Sequence, residues 1–260
     1  MTHSGYVCHL PTPLLASPHF QQCFGGLNGR SLPLDDQDLL RPVETTLLPG
    51  TPVELMTQTS EKHIWKMRAE AYPFGEFYVD ERFLVRAEER KSPLPPPTEI
   101  LTTMQAQLGA RYIWGGNWPH GIPELLQFYP PAIPLDPLWA DTWQLKGFDC
   151  SGLLYFATAG HTPRNTSALI EYGEPLSIEG LDVRQIAAQL RPLDLIVWDG
   201  HVVIHFDKLH TIESKRGEGV VKKPLLLRLE EIMHTRKPVN HYISTQPSFV
   251  VRRWAKDVSC

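Results

Sequence analysis

Two short segments of this chain most constrain what it can fold into. Residues 147–153 read Gly-Phe-Asp-Cys-Ser-Gly-Leu and run directly into an apolar segment that we expect to be helical. Residues 200–204 read Gly-His-Val-Val-Ile and open an alternating run that is typical of a strand. A cysteine at the start of a helix, followed later by strands, predicts an α+β fold.

The same two segments suggest a chemistry. Cys150 would lie at a helix N-terminus, where unpaired backbone N–H groups and the positive end of the helix dipole favour the thiolate. His201, brought beside it in the fold, would take the thiol proton and later return it. The pattern therefore predicts an enzyme with a cysteine nucleophile and a histidine base.

Composition excludes several other classes of protein. The chain has 260 residues, enough for one large domain or two smaller ones, and 42% of them are hydrophobic, which is enough for a sizeable core. A formal charge of −4 argues against nucleic acid as the main partner. The four cysteines (Cys8, Cys23, Cys150 and Cys260) have no paired or metal-ligand spacing, so we interpret them as thiols outside any disulfide.

Targeting signals are not evident in the sequence. The first thirty residues lack the basic start and long apolar stretch of a secretory signal, and no run of eighteen apolar residues occurs. We therefore expect no membrane span and, by default, a cytoplasmic location, with the periplasm or cell envelope as the alternative. The sequence leaves the oligomeric state open.

Four segments follow from the composition along the chain. Residues 1–40 form an N-terminal extension, and residues 41–91 hold short alternating runs that resemble a bacterial SH3-like β-barrel, with another small β-barrel as the alternative. Residues 92–97 are a proline-rich linker. Residues 98–260 form the second domain, which opens with a helix over 98–108 that Thr98 would cap.

The second domain carries motifs that occur together in one known family. In chain order these are Tyr112-Ile-Trp-Gly-Gly, Phe148-Asp-Cys-Ser-Gly-Leu, Pro163-Arg164, Asp194-Leu195, Gly200-His-Val-Val-Ile and the terminal Arg252-Arg253. Their order and spacing resemble those of the NlpC/P60 family across about residues 98–254. An upstream SH3-like domain is a frequent companion in that family.

The resemblance implies a papain-like cysteine peptidase that cuts bacterial cell-wall peptides. The bond commonly cut in that family joins the γ-carboxyl of D-glutamate to a diamino acid, so the implied partners are peptidoglycan stem peptides or muropeptides. Cys150 matches the nucleophile and His201 the general base and acid. Glu213 stands where the family has a third polar residue, often histidine, that orients the imidazole.

Strand alternation supports this third assignment independently. His201 and Val203 share one strand face. If residues 211–213 form the adjacent antiparallel strand, Glu213 approaches His201 across a turn at residues 207–208.

Substrate contacts are also implied by the resemblance. Asp149 matches an aspartate that holds the ammonium group of an N-terminal L-alanine, with Ser151 as its helper, and a helix-capping role is the alternative. Tyr112 matches a tyrosine of the catalytic cleft, or else a core aromatic residue. Thr166 matches a hydroxyl that contacts D-glutamate, and Tyr78 would close the far end of the groove.

Other functions remain open at this point. His201, His205, Asp207 and His210 cluster along the chain, but no HExxH or paired CxxC motif accompanies them, so we predict no metal and no cofactor. A non-catalytic module that binds wall peptides is one alternative function. An amidase or acyltransferase that uses the same cysteine and histidine is another.

Residues 117–146 depart most from the family pattern. This stretch is rich in tryptophan and proline and longer than the usual link to the nucleophile. We expect either a lid that restricts substrate length or a packed surface elaboration.

Overall fold

The structure, a computed structural model, describes residues 5–25, 30–87 and 92–255. The helices are α1 (Phe20–Cys23), α2 (Pro97–Gln105), α3 (Glu124–Phe128), α4 (Pro137–Trp143), α5 (Cys150–Ala157), α6 (Thr166–Leu169), α7 (Val183–Gln189) and α8 (Leu225–Thr235). The strands are β1 (Gly5–Cys8), β2 (Thr12–Leu15), β3 (Val43–Leu47), β4 (Pro52–Gln58), β5 (Ile64–Arg68), β6 (Phe77–Asp80), β7 (Leu84–Ala87), β8 (Asn117–Trp118), β9 (Gly147–Phe148), β10 (Glu174–Pro175), β11 (Leu195–Trp198), β12 (His201–Asp207), β13 (His210–Lys215), β14 (Gly219–Pro224), β15 (Lys237–Pro238) and β16 (Ser248–Arg253). The protein is thus a mixture of helices and strands.

Two compact units divide the described residues. The first unit runs to Pro93 and also includes Arg111–Gly152. The second unit consists of Leu94–Ala110 and the residues from Leu153 onward. Helix α5 begins at the end of the first unit and continues into the second.

The first unit is built on a seven-stranded sheet in the order β3-β2-β6-β5-β4-β1-β7. Strands β1 and β2 come from residues 1–40: β1 pairs with β4 and β7, and β2 pairs with β3 and β6. The SH3-like β-barrel predicted over residues 41–91 is not shown, because within the described residues the end strands β3 and β7 do not pair and the sheet is not closed.

Burial explains why strand β2 could not be predicted from the sequence. All four residues of β2, Thr12–Leu15, are buried, so the strand lacks the alternation of apolar and polar residues that marks a half-exposed strand. Short strands were predicted at the places of β4, β5, β6 and β7, and the structure confirms a strand at each of them.

The proline- and tryptophan-rich stretch is part of the core of the first unit. Within residues 117–146, five hydrophobic side chains are fully or almost fully buried: Ile122, Leu125, Tyr129, Trp143 and Leu145. They share one apolar cluster with residues from the start of the chain, among them Phe20, Phe24 and Val43. The stretch is therefore a packed elaboration of this unit.

The second unit is built on a sheet in the order β10-β16-β11-β12-β13-β14. Its central strand β11 is buried along its whole length, and Ile196 and Val203 join Phe249 in an apolar cluster that α7 and α8 cover. Adjacent strands are antiparallel, and the pairing of Ile204 with Ile212 sets the register between β12 and β13.

Local sequence accounts for the helices that cover this sheet. Helix α7 begins with a capping box in which Asp182 accepts from the backbone of Gln185 and the Gln185 side chain accepts in return. Helix α8 buries Leu225, Leu229 and Ile232, which recur at helical spacing on one face.

The predicted helix near residue 98 is confirmed, but its cap is not. Helix α2 begins at Pro97, with Pro96 at the N-cap position, because proline at the first helical position needs no N–H partner. Thr98 lies inside the helix, where its carbonyl accepts from the Thr102 hydroxyl, so the predicted Thr98 cap is wrong. Among the described residues, no helix is both long and apolar enough to cross a membrane.

A buried polar contact ties the elaboration to the sheet of the first unit, and its removal should be costly. The Tyr129 hydroxyl donates to Asp80 Oδ2 at 2.6 Å, and Asp80 is fully buried. We expect Tyr129→Phe to lower the free energy of unfolding by about 1.5–3 kcal/mol, the usual loss for a hydrogen bond to a charged group. Urea unfolding measures this change.

The matched control is Tyr6→Phe. The Tyr6 hydroxyl accepts from Arg86 Nε at 3.2 Å at the surface, and its loss should change stability by about 0.5 kcal/mol or less. Equal losses in the two variants would show that the Tyr129 hydroxyl does not anchor the elaboration.

Candidate active site

Cys150 is placed by a short two-stranded element followed at once by a helix. Strand β9 pairs with β8, and α5 begins at Cys150. The Cys150 side chain is buried, with 6% of its surface exposed. Its position at the N-terminus of the helix favours the thiolate electrostatically.

Gly152 lets the start of helix α5 lie directly against the Gly116 carbonyl. A Cβ atom at Gly152 would lie 2.2 Å from the Gly116 carbonyl oxygen, which is closer than any real contact. The turn at Gly115, with a positive φ of 71°, brings that carbonyl against the helix. The glycines of both motifs are therefore required by packing around the start of α5.

Asp149 caps the helix that carries the cysteine. Its Oδ1 accepts from the Gly152 N–H at 2.7 Å and from the Ser151 hydroxyl at 3.2 Å. Its Oδ2 accepts from the Gly115 N–H at 3.1 Å. Asp149 is 6% exposed and Ser151 4% exposed, so the geometry shows a helix-capping role for this pair.

The Trp-Gly-Gly turn is fastened to strand β3, a connection that the sequence does not reveal. Trp114 Nε1 donates to the Val43 carbonyl at 2.9 Å, and the Thr46 hydroxyl donates to the Gly115 carbonyl at 3.1 Å. Asn117 Nδ2 donates to the Thr46 carbonyl at 2.5 Å. Since Val43 and Thr46 lie far away along the chain, no local pattern could have identified them.

His201 begins strand β12 in the second unit and contacts Glu213 on the neighbouring strand. His201 Nε2 and Glu213 Oε2 are 2.7 Å apart, a distance at which the imidazole N–H donates to the carboxylate. The antiparallel pairing of β12 and β13 puts Glu213 within diagonal reach of His201. With Nε2 engaged in this way, Nδ1 is the ring atom left to exchange a proton.

Arg228, on helix α8, completes this group and was missed by the sequence reading. Its Nε donates to Glu213 Oε1 at 2.6 Å and its Nη2 to Glu213 Oε2 at 2.9 Å. Its Nη1 donates to Glu231 Oε2 at 2.9 Å. The sequence did contain a sign that Arg228 has a buried partner. It stands among Leu225, Leu229 and Ile232 on the apolar face of α8, where an arginine needs an anion.

Ionisation of the pair follows from these contacts. Burial pushes the pKa of Glu213 upward, but hydrogen bonds from His201 and Arg228 outweigh burial and leave this pKa below its ordinary value. Burial acts against the cation at Arg228, yet its hydrogen bonds with Glu213 raise its pKa overall. Glu213 is therefore a carboxylate and Arg228 a guanidinium at neutral pH.

Thr166 lies next to the turn that precedes His201. Its hydroxyl accepts from the Gly200 N–H at 3.1 Å, and the Tyr242 hydroxyl accepts from the Asp199 N–H at 3.3 Å. Gly200 has a positive φ of 90°, which glycine adopts without strain. These two hydroxyls fix the turn from which β12 starts.

The other predicted substrate residues lie in the first unit. Tyr112 is half-buried and forms an isolated β-bridge with Phe148, two residues before Cys150. Tyr78 lies on β6 opposite Lys66, and its partly buried ring packs against the apolar cluster of this unit. Tyr78 therefore has at least a structural role.

Each half of the predicted dyad lies in its own unit. Cys150 lies beside Asp149 and Ser151 in the first unit, while His201, Glu213 and Thr166 lie in the second.

Among the described residues, no group of three or more His, Cys, Asp or Glu side chains is arranged to hold a metal ion. His205 is buried, and burial lowers its pKa, which favours the neutral imidazole.

The thiols of Cys8 and Cys23 have a different environment. Both are buried in the first unit, and burial raises the pKa of Cys8 to about 12 and raises that of Cys23 as well. Neither is at the start of a helix of the site. Cys260 lies outside the described residues.

The charge of Glu213 should make stability depend on pH. Because folding lowers the pKa of Glu213, its carboxylate stabilises the protein above the ordinary glutamate range, and this contribution is lost as the pH falls through the lowered value. We expect Glu213→Gln to cost about 3–5 kcal/mol near neutral pH, since Arg228 stays buried without its anion. The gap to the unaltered protein should narrow as the pH falls, which urea unfolding at several pH values would measure.

A solvent-accessible pair supplies the control for this measurement. Lys146 Nζ donates to Asp141 Oδ1 at 3.2 Å, and the two side chains are 46% and 28% exposed. Asp141→Asn should therefore change stability by about 1 kcal/mol or less. A Glu213→Gln penalty that does not vary with pH would contradict the assignment of a buried carboxylate.

Comparison with known proteins gives structural likeness only. No family model matches the chain, and no curated protein matches it. An NlpC/P60 family protein from Bacillus cereus is similar over 97% of this chain, with 16% identity and a TM-score of 0.38, and the chain spans 64% of that protein's length. NlpC2 from Trichomonas vaginalis is similar over 96% of this chain and 72% of its own, with 14% identity and a TM-score of 0.36.

A third solved structure is RipD from Mycobacterium tuberculosis, described as a non-catalytic NlpC/p60 domain protein adapted to peptidoglycan binding. It is similar over 49% of this chain and 86% of its own, with 21% identity and a TM-score of 0.34. The Bacillus cereus protein and RipD are both described as NlpC/P60 proteins.

Proposed function

We propose that the protein is a cysteine endopeptidase that hydrolyses peptidoglycan stem peptides. The observation that carries this proposal is the partly buried contact between His201 Nε2 and Glu213, which leaves Nδ1 of the candidate base to accept the thiol proton. The bond that we assign to it joins the γ-carboxyl of D-glutamate to a diamino acid. This assignment rests on the resemblance of the motifs around Cys150 and His201.

In the proposed reaction, His201 accepts the proton of the Cys150 thiol, and the sulfur attacks the carbonyl carbon of the scissile amide. The resulting oxyanion is stabilised by backbone N–H groups at the start of α5. His201 then gives its proton to the departing amine, and the C–N bond breaks to leave a thioester. Water, deprotonated by His201, attacks the thioester and releases the acid and the thiol.

Glu213 has two roles in this scheme. By accepting from Nε2 it fixes the tautomer of His201, so that Nδ1 carries the lone pair when the thiol is neutral. Its negative charge stabilises the imidazolium that forms when the thiol gives up its proton. Burial in a medium of low dielectric strengthens that attraction.

For substrate recognition, we propose that Asp149 and Ser151 bind the ammonium group of an N-terminal L-alanine, in addition to capping α5. Thr166, beside the Gly200 turn, contacts D-glutamate. Tyr112 lines the cleft, and Tyr78 closes the far end of the groove. Peptides with a free L-alanine are thus the favoured substrates over intact wall.

Hydrolysis of a defined peptide tests the proposal. The protein should cleave L-Ala-γ-D-Glu-diaminopimelate into a dipeptide and diaminopimelate, detected by mass, and should release little from intact sacculus. Cys150→Ala should lower kcat by about 10³-fold or more, because the nucleophile is lost. Cys8→Ala is the control, since a thiol with a pKa of about 12 is no nucleophile at neutral pH.

Two outcomes would contradict the proposal. Equal turnover by the Cys150→Ala variant would exclude a cysteine nucleophile. Binding of the peptide without a change in its mass would indicate the binding-module alternative instead.

Thiol reactivity gives a second, substrate-free prediction. In a Cys260→Ser background, iodoacetamide at neutral pH should label Cys150 far faster than Cys8 or Cys23, as judged by peptide mass mapping over time. Cys8 and Cys23 should react only after unfolding, because burial raises the pKa values of their thiols. Equal rates at the three cysteines would argue against a thiolate at the start of α5.

A further inference from the structure

We propose that Arg228 is a positioning residue that balances the charge of Glu213, and thereby sets the pH range over which His201 can take up and return a proton. The inference rests on the proposed function for its catalytic meaning. The contacts that support it lie wholly within the second unit.

Arg228 holds both oxygens of the carboxylate. Its two N–H groups form a fork over Glu213, with distances of 2.6 and 2.9 Å. Glu213 Oε2 therefore accepts from Arg228 and from His201 at once. Because the guanidinium is planar and rigid, this arrangement fixes the orientation of the carboxylate toward the imidazole.

The charges explain why the balance matters. A fully buried carboxylate with His201 as its only donor would bind the imidazolium strongly and hold the proton on the ring. The guanidinium cancels much of that field, because it shares the same two oxygens. A base that must release its proton to the leaving amine gains from this cancellation.

Other charged and aromatic groups lie near the imidazole or near Arg228. Glu231, with its side chain 41% exposed, accepts from Arg228 Nη1 and is partly screened by water. From β11, the Trp198 ring lies 5.2 Å from the imidazole, and the Arg236 guanidinium lies 4.5 Å from the Trp198 ring. Arg228 is the cation that directly contacts the carboxylate shared with His201.

The experiment is an NMR titration of the His201 imidazole, assigned by comparison with His201→Gln. In Arg228→Gln the midpoint of the titration should lie about 1 pH unit above that of the unaltered protein, since the carboxylate then acts on the imidazole alone. Arg228→Lys keeps the positive charge, so its titration midpoint should lie close to that of the unaltered protein. An unchanged midpoint in folded Arg228→Gln would overturn the proposal.

A matched variant separates this role from a merely structural one. Arg253 makes the same kind of fork on a buried carboxylate, that of Asp194, with contacts at 2.9 and 2.6 Å. Arg253→Gln should lower stability but leave the His201 midpoint within about 0.3 pH unit, because it does not touch Glu213. A shift as large as that of Arg228→Gln would show a general effect of losing a buried ion pair.

If Arg228→Gln does not fold, a double variant decides the question. Glu213→Gln combined with Arg228→Gln removes both charges and leaves neither one buried alone. Under the proposal its midpoint stays within about 0.5 pH unit of the unaltered protein, since a neutral pair replaces a balanced one. A fall of about 1 unit would show that Glu213 acts on His201 without any compensation by Arg228.

These titrations need no substrate, so their failure differs from failure of the proposed function. A shifted midpoint together with no peptide cleavage would leave the Arg228 assignment intact and remove its catalytic meaning. Cleavage together with an unshifted midpoint would remove the Arg228 assignment alone.

Discussion

A buried anion, Glu213, joins a strand to a helix in the second unit. Glu213 is fully buried between a strand and a helix, where an isolated carboxylate is strongly disfavoured. Two donors, His201 from β12 and Arg228 from α8, keep it ionised. The same contacts therefore dock a helix onto a sheet and orient the candidate base, so that structure and proposed chemistry rest on the same atoms.

In the first unit, backbone groups position the thiol at the start of helix α5. The Gly116 carbonyl lies against Gly152, and the N–H groups of Gly115 and Gly152 donate to Asp149. The turn itself is fastened to β3 through Trp114. These contacts together hold the start of the helix that begins at Cys150.

Sequence patterns foretold the features that depend on local order. The strand that begins at His201 and the helix that begins at Cys150 were both predicted from the short motifs at their first residues. Strand β2 could not be predicted, because it is only four residues long and contains Pro13, a residue that is uncommon in strand interiors. Within the described residues the sheet of the first unit is not closed, and β2 lies in it between β3 and β6.

Long-range contacts account for the remaining gaps. The Val43 carbonyl accepts from Trp114, 71 residues away, and nothing in the sequence around Val43 indicates that partner. The position of Arg228 on an apolar helix face indicates that it needs an anion, but not that the anion is Glu213. The tryptophan- and proline-rich stretch was ambiguous for the same reason. Its buried members, such as Trp143, show their role only when the cluster that they join with Phe20 is seen.

The two halves of the proposed dyad should respond differently to solution conditions. At Cys150 the favourable field comes from peptide groups at a helix terminus, which carry no titratable proton. At His201 the field comes from Glu213 and Arg228, whose effect depends on ionisation. Acid that protonates Glu213 therefore removes the charge that orients His201, while the helix dipole at Cys150 is unchanged.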